Sequence, residues 1–133
     1  MMPGLLCRAI VLAAVGAIGC GEILVAQPAP RAPGDSIRGE KLFRRICAQC
    51  HSLTDNRTGP RLGDFYGRTV ASVQGYRYSN AVASLSFAWS DSTLDAWLAG
   101  PRDFVRGAAM GARLKDGQER LDVIAYLRTL RLD

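Results

Sequence analysis

Cys47-Ala48-Gln49-Cys50-His51 is the stretch on which the reading of this chain turns. On a helical turn, residues three and four apart share a face, so Cys47, Cys50 and His51 address one object. Three uses of such a pair leave something over. A thioredoxin-like redox pair needs a βαβ setting, and no strand pattern precedes Cys47. A zinc site needs four ligands. Beyond residue 26 the only Cys and His are Cys47, Cys50 and His51, so a carboxylate would have to complete that set. A plain disulfide leaves His51 without a role.

The remaining use accounts for all three residues. C-x-x-C-H is the pattern of c-type haem attachment, in which two thiols add to the haem vinyls and the imidazole reaches the iron. Covalent bonds keep the group in place even where few residues surround it.

The flanks read as helices. Gly39, Leu42, Phe43 and Ile46 follow the i, i+3, i+4, i+7 stripe of an amphipathic helix, with Asp35 as its N-cap. Near the C-terminus, Asp116-Gly117-Gln118-Glu119 resembles a capping box with Asp in the Ser/Thr place. Leu121, Ile124, Leu127 and Leu130 then recur every third residue, with Val123 and Tyr126 beside them. Two such helices crossing at Gly39 would pack Phe43 against Tyr126.

Ahead of this domain, Arg8 heads the apolar run Ala9–Ile18, of signal-peptide length and short of the about 20 residues a membrane span takes. Leu24-Val25-Ala26 before Gln27 offers a signal-peptidase site. Ala17-Ile18-Gly19-Cys20 resembles a lipobox, with Ala17 where Leu is expected. Residues 1–26 are therefore read as a signal peptide or lipoprotein leader, 27–34 as a Pro/Ala-rich linker and 35–133 as the folded domain. The expected location is periplasmic or otherwise extracytoplasmic. Membrane contact is expected only through an N-terminal lipid or anchor.

A chain of 133 residues suffices for one domain. Lys and Arg total 17 against 12 acidic residues, a net charge of +5 that favours acidic partners. The cations form no run beyond the pair Arg44-Arg45 and nearly all are Arg, Lys41 and Lys115 being the only lysines. No basic run or basic-aromatic motif points to nucleic acid.

From about Gly39 to Leu127 the chain resembles a class I cytochrome c of the mitochondrial and purple-bacterial type. The resemblance rests on Gly39-x-x-x-Phe43, Cys47–His51, Thr58-Gly59-Pro60-x-Leu62, Gly67-Arg68 and Gly75-Tyr76-x-Tyr78. It continues through Trp89, Leu94, Pro101, Gly107-x-x-Met110 and Arg120-x-Asp122-x-Ile124-Ala125-Tyr126-Leu127. It implies an all-α fold, with N- and C-terminal helices crossing around one covalently bound haem c. It also implies roles. Pro60 would offer its carbonyl to the outer nitrogen of His51, the bond that fixes ring orientation. Arg68, Tyr78 and Trp89 would hold the haem propionates. Met110 stands where the family has its second iron ligand. The composition agrees, since His51 is the only His, and Met1 and Met2 lie in the leader.

The departures are local. Arg106 replaces a Pro before Gly107, and Trp97 a Tyr whose hydroxyl contacts the Met sulfur. Val82 replaces a polar residue of the buried hydrogen-bond network, and Ala112 an aromatic. Ile46 and Ala109 replace Lys residues near the haem edge. The loops from His51 to Pro60 and from Met110 to Arg120 are short. The resemblance implies a one-electron carrier that performs no bond chemistry and meets protein redox partners. Two further readings remain: a haem-based binder of small ligands with a displaceable Met110, or a cytochrome subunit docked on a dehydrogenase.

Overall fold

A computed structural model describes residues 30–130. Helix α1, Ser36–Ile46, starts where the Asp35 carboxylate accepts from the backbone N–H groups of Ile37 and Arg38, at 2.8 and 3.1 Å. Those two donors have no partner within the helix, which is why a short acidic side chain suits the cap. Gly39, Leu42 and Phe43 are buried and Ile46 packs at the core's edge, so the expected stripe is the inward face. A 3₁₀ turn, Cys47–Gln49, follows at once and carries the motif.

Helix α5, Gly117–Thr129, is capped in the same way, the Asp116 carboxylate accepting from Gln118 at 2.6 Å and Glu119 at 3.0 Å. Its inward face is Val123, Ile124 and Leu127. Leu121 and Leu130 are only half-buried, whereas Ile124 and Leu127 of the same three-residue stripe are buried. A repeat of three drifts around a helix of 3.6 residues per turn, so one stripe cannot stay on one face.

The two helices cross where Gly39 lies against the Asp122 carbonyl and Tyr126. Phe43 and Tyr126 meet there with ring centroids 5.3 Å apart. The same end of α5 meets the incoming chain. Gln118 donates to the Pro33 carbonyl at 3.4 Å, and Gly34 lies against Leu121.

Between the terminal helices lie α2 (Asn80–Ala83), α3 (Asp91–Ala99) and α4 (Pro101–Phe104). In α3, Ser90 and Thr93 form a reciprocal capping box. Pro101 opens α4, where a missing N–H costs nothing. Arg120 and Arg128 of α5 reach Asp95 and Asp91 of α3, joining the two helices. Among the described residues there is no strand, only a Thr69–Ala88 bridge, and no helix long and apolar enough to cross a membrane. The expected all-α fold is what forms. The leader and residues 27–29 of the linker lie outside the described residues.

Candidate cofactor site

The helices enclose a cavity of about 290 Å³. Its wall is mainly apolar, built from Phe43, Leu94, Leu98, Val123 and Leu127 of the long helices, with Val82 and Trp89 from the middle of the chain. Cys47, Cys50, His51, Pro60, Tyr78 and Met110 line the same space. Of the anticipated site residues, only Arg68 stands outside the lining. It is half-buried, and its charge acts on Tyr78.

His51 is held by the loop that follows it. Its Nδ1 lies 2.7 Å from the Pro60 carbonyl. A carbonyl can only accept, so Nδ1 carries the proton and Nε2 keeps its lone pair. Burial lowers the imidazole pKa, partly offset by the bond to Pro60, and favours the neutral ring a metal needs. Gly59 makes the approach possible: a Cβ there would sit 2.6 Å from His51 Nδ1.

Met110 is held from α3. The Trp97 indole N–H donates to the Met110 sulfur at 3.2 Å. Trp97 stands edge-on to Trp89, centroids 5.4 Å apart, and Trp89 in turn contacts Phe65 and Phe87, each at 5.2 Å. The indole N–H thus occupies the place the resemblance gives to a phenol. Sequence reading had Trp97 only as a departure; its signal was that Trp keeps a donor.

Cys47 and Cys50 are both free, so the disulfide alternative is not realised. Burial pushes the Cys47 thiol up to about 11, well into the protonated state at neutral pH. Burial also raises Tyr78, opposed by a backbone hydrogen bond at Val73 and by the Arg68 charge. Among the described residues no three His, Cys, Asp or Glu come together as a bare cation would need. One imidazole, one thioether and two thiols around an apolar space suit a flat hydrophobic macrocycle with a central metal.

Two cations of the front face, expected from the sequence only as charges around the haem edge, reach the cavity rim. Arg113 lines it and pairs with Asp103 at 3.4 Å. Arg102 donates to the Ala109 carbonyl at 3.4 Å, next to Met110. Neither contact has a sequence signal, because each depends on how the loop around Met110 folds back over α4.

The Cytochrome c family model matches residues 36–131. This chain belongs to the cytochrome c family. It is 45% identical over 101 residues to a cytochrome c of Euglena viridis, covering 74% of this chain and 99% of that one. A cytochrome c of Chlamydomonas reinhardtii is 40% identical over 99 residues, covering 71% and 88%. Among solved structures, cytochrome cH from Methylobacterium extorquens superposes with a TM-score of 0.69 at 35% identity, covering 72% of this chain and 99% of that one. As a cytochrome c the protein is an electron carrier and not an enzyme, it binds haem c covalently, and its partners are redox proteins.

Proposed function

We propose that this cytochrome c is an exported one-electron carrier, working in the periplasm or an equivalent extracytoplasmic space. Its haem would be bonded at Cys47 and Cys50, with the iron between His51 and Met110. The observation that carries the reading is that both donors are already aimed at one apolar cavity, His51 by the Pro60 carbonyl at 2.7 Å and Met110 by the Trp97 N–H at 3.2 Å. The haem supplies the one-electron couple. The chain holds the ligands so that little moves when charge changes, and His/Met ligation suits a high potential.

Tyr78 and Trp89 at the cavity wall, with Arg68 behind Tyr78, would be the donors for the propionates. Apolar side chains exclude water from the remainder of the site. Export rests on the apolar leader after Arg8, and acidic partners on the net charge of +5.

The test is chemical. The mature native protein should gain the mass of one haem and keep it through acid-acetone extraction. The C47A/C50A double variant should lose it to the same treatment. The reduced native protein should resist carbon monoxide while M110A binds it. Ready binding by the native protein replaces the carrier with the ligand-binder reading.

A further inference from the structure

We propose that Asp103 is an internal competitor for the redox partner: it holds Arg113, the cation on the cavity wall, until an acidic group of the partner takes its place. This rests on the reading above of a carrier whose partners are acidic.

Three arginines reach the segments around the cavity mouth, and they are held differently. Arg57 donates to the Ala48 carbonyl at 3.2 Å and Arg102 to the Ala109 carbonyl at 3.4 Å. Those acceptors are uncharged, so both arginines keep their charge for an incoming anion. Arg113 instead faces a carboxylate, the Asp103 Oδ2 at 3.4 Å. Arg113 is also the only cationic side chain among the residues lining the cavity. The positive charge nearest the redox site is therefore covered, while those farther out are not.

The short helix α4 sets this pairing. Arg102, one residue before Asp103, lies 3.3 Å from where a Cβ on Gly111 would sit and bonds at Ala109. The chain on either side of Met110 is thereby drawn against α4, and Arg113 comes within reach of Asp103. The contact is open to water, the Asp103 side chain being 75% exposed and that of Arg113 46%. An exposed ion pair is weak, which is what an exchangeable contact requires. A buried pair could not let go, because release would strand a charge away from water.

Docking then replaces one carboxylate by another at Arg113, and Asp103 turns out to solvent. A partner whose acidic group reaches Arg113 recovers its charge. A partner that is merely negative meets the Asp103 carboxylate at the mouth and is repelled. Asp103 thus selects among acidic partners by the placement of their charge as well as its sign.

The experiment uses the haem-loaded full chain in its reduced form, with hexacyanoferrate(III) as the anionic acceptor. One electron passes from the iron to the acceptor, which leaves as hexacyanoferrate(II). Stopped-flow rates are measured at low and high salt for the native protein, D103N, R113Q and D103N/R113Q. The midpoint potential of each is recorded so that differences in driving force are removed. At low salt D103N should speed oxidation about two- to fivefold while Arg113 is present, the range an exposed ion pair implies. In the R113Q background the same change should give at most about 1.5-fold, since only general repulsion is left. D103E, which keeps the carboxylate, should stay near the native rate. Equal acceleration with and without Arg113, or acceleration in D103E, overturns the competitor and leaves acidic partners in place. A native rate that does not fall with salt overturns the acidic-partner reading and the competitor with it.

Discussion

Arg38 of α1 closes on Asp122 of α5 with two parallel bonds, Nε to Oδ2 at 2.8 Å and Nη2 to Oδ1 at 3.0 Å. The Asp122 carboxylate also accepts from the Asp35 backbone N–H at 2.8 Å and from Gln118 at 3.1 Å. One side chain, 4% exposed, thereby ties the start of α1 to the start of α5 at the helix crossing. A buried carboxylate is tolerated because both oxygens accept hydrogen bonds, Oδ1 from three donors and Oδ2 from one.

Acid stability should follow from that arrangement. The Arg38 guanidinium, against the opposing cost of burial, holds Asp122 down to about 2 from 3.8. The stabilisation is fully present above pH 3.8 and is lost as pH falls through about 2. It amounts to at most about 2 kcal/mol, less what solvent screens at the half-exposed Arg38. Urea unfolding should show stability dropping between those values, and D122N should flatten that slope while lowering stability by about 1–3 kcal/mol at neutral pH.

Gly39 should not tolerate a methyl group. In a helix interior Ala gains about 1 kcal/mol over Gly. Here, however, the new Cβ would lie 2.6 Å from the Asp122 carbonyl carbon and 2.9 Å from Tyr126 Cβ. Backbone cannot yield as a flexible side chain does, and overpacking costs about 1–3 kcal/mol or more. The clash wins, so G39A should unfold at lower urea. A more stable G39A would show that the helices have room to separate.

Local chemistry made α1 legible in the sequence: an Asp cap, a stripe of correct period, and Cys47 immediately after it. The proposed ligand pair stands out in the sequence because His51 and Met110 have so few rivals. What escaped depends on contacts distant in sequence. Leu121 followed the three-residue stripe but sits only half-buried, because the partner helix selects which part of a drifting stripe it covers. Trp97 and Met110 are separated by a turn, a short helix and a loop, so no periodicity could show that the N–H reaches the sulfur. Arg102 at Ala109 is hidden for the same reason.

That arginine carries a prediction. Arg106 stands where a rigid Pro was expected, so the loop before Met110 lacks one fixed φ. Arg102 offsets this from α4: it donates to the Ala109 carbonyl at 3.4 Å, and its guanidinium lies 3.3 Å from where a Cβ on Gly111 would sit. R102A should raise the affinity of added imidazole for the oxidised protein about two- to threefold, since the bond is long and solvent-exposed. An unchanged binding isotherm would leave Arg102 as a surface charge only.

Encounter with partners should depend on salt. Arg57, Arg102, Arg106, Arg113 and Lys115 are exposed, and Arg113 lies at the cavity itself. Cations around a redox site steer an acidic partner over long range. Stopped-flow rates with the physiological partner should fall steeply as the Debye length drops below about 10 Å. R106E should lower the low-salt rate several-fold and leave the high-salt rate nearly unchanged. Flat salt dependence would indicate an apolar or permanent interface, as in a dehydrogenase subunit.

If residues 1–26 are the proposed leader, its processing decides where such encounters occur. Cys20 follows an apolar run, and a Pro-rich stretch separates it from the domain. The last of this stretch packs on α5: Arg31 lies by Gly117, Pro33 accepts from Gln118 and Gly34 lies against Leu121. A lipid on Cys20 would make the chain from Gly21 to Gly34 the link between membrane and domain. Extended Pro-rich chain rises about 3.1 Å per residue, so the domain would sweep some tens of ångströms above the membrane. That confinement raises effective concentration near membrane-bound oxidases or reductases without any new contact. Cleavage after Ala26 gives instead a freely diffusing carrier, and this is the expected outcome because Ala17 departs from the lipobox. Intact-mass analysis of native protein should find a chain beginning at Gln27. A diacylglyceryl group on an N-terminal Cys20 would establish the tether. A membrane-bound form that keeps Met1 would overturn both and make the leader an anchor.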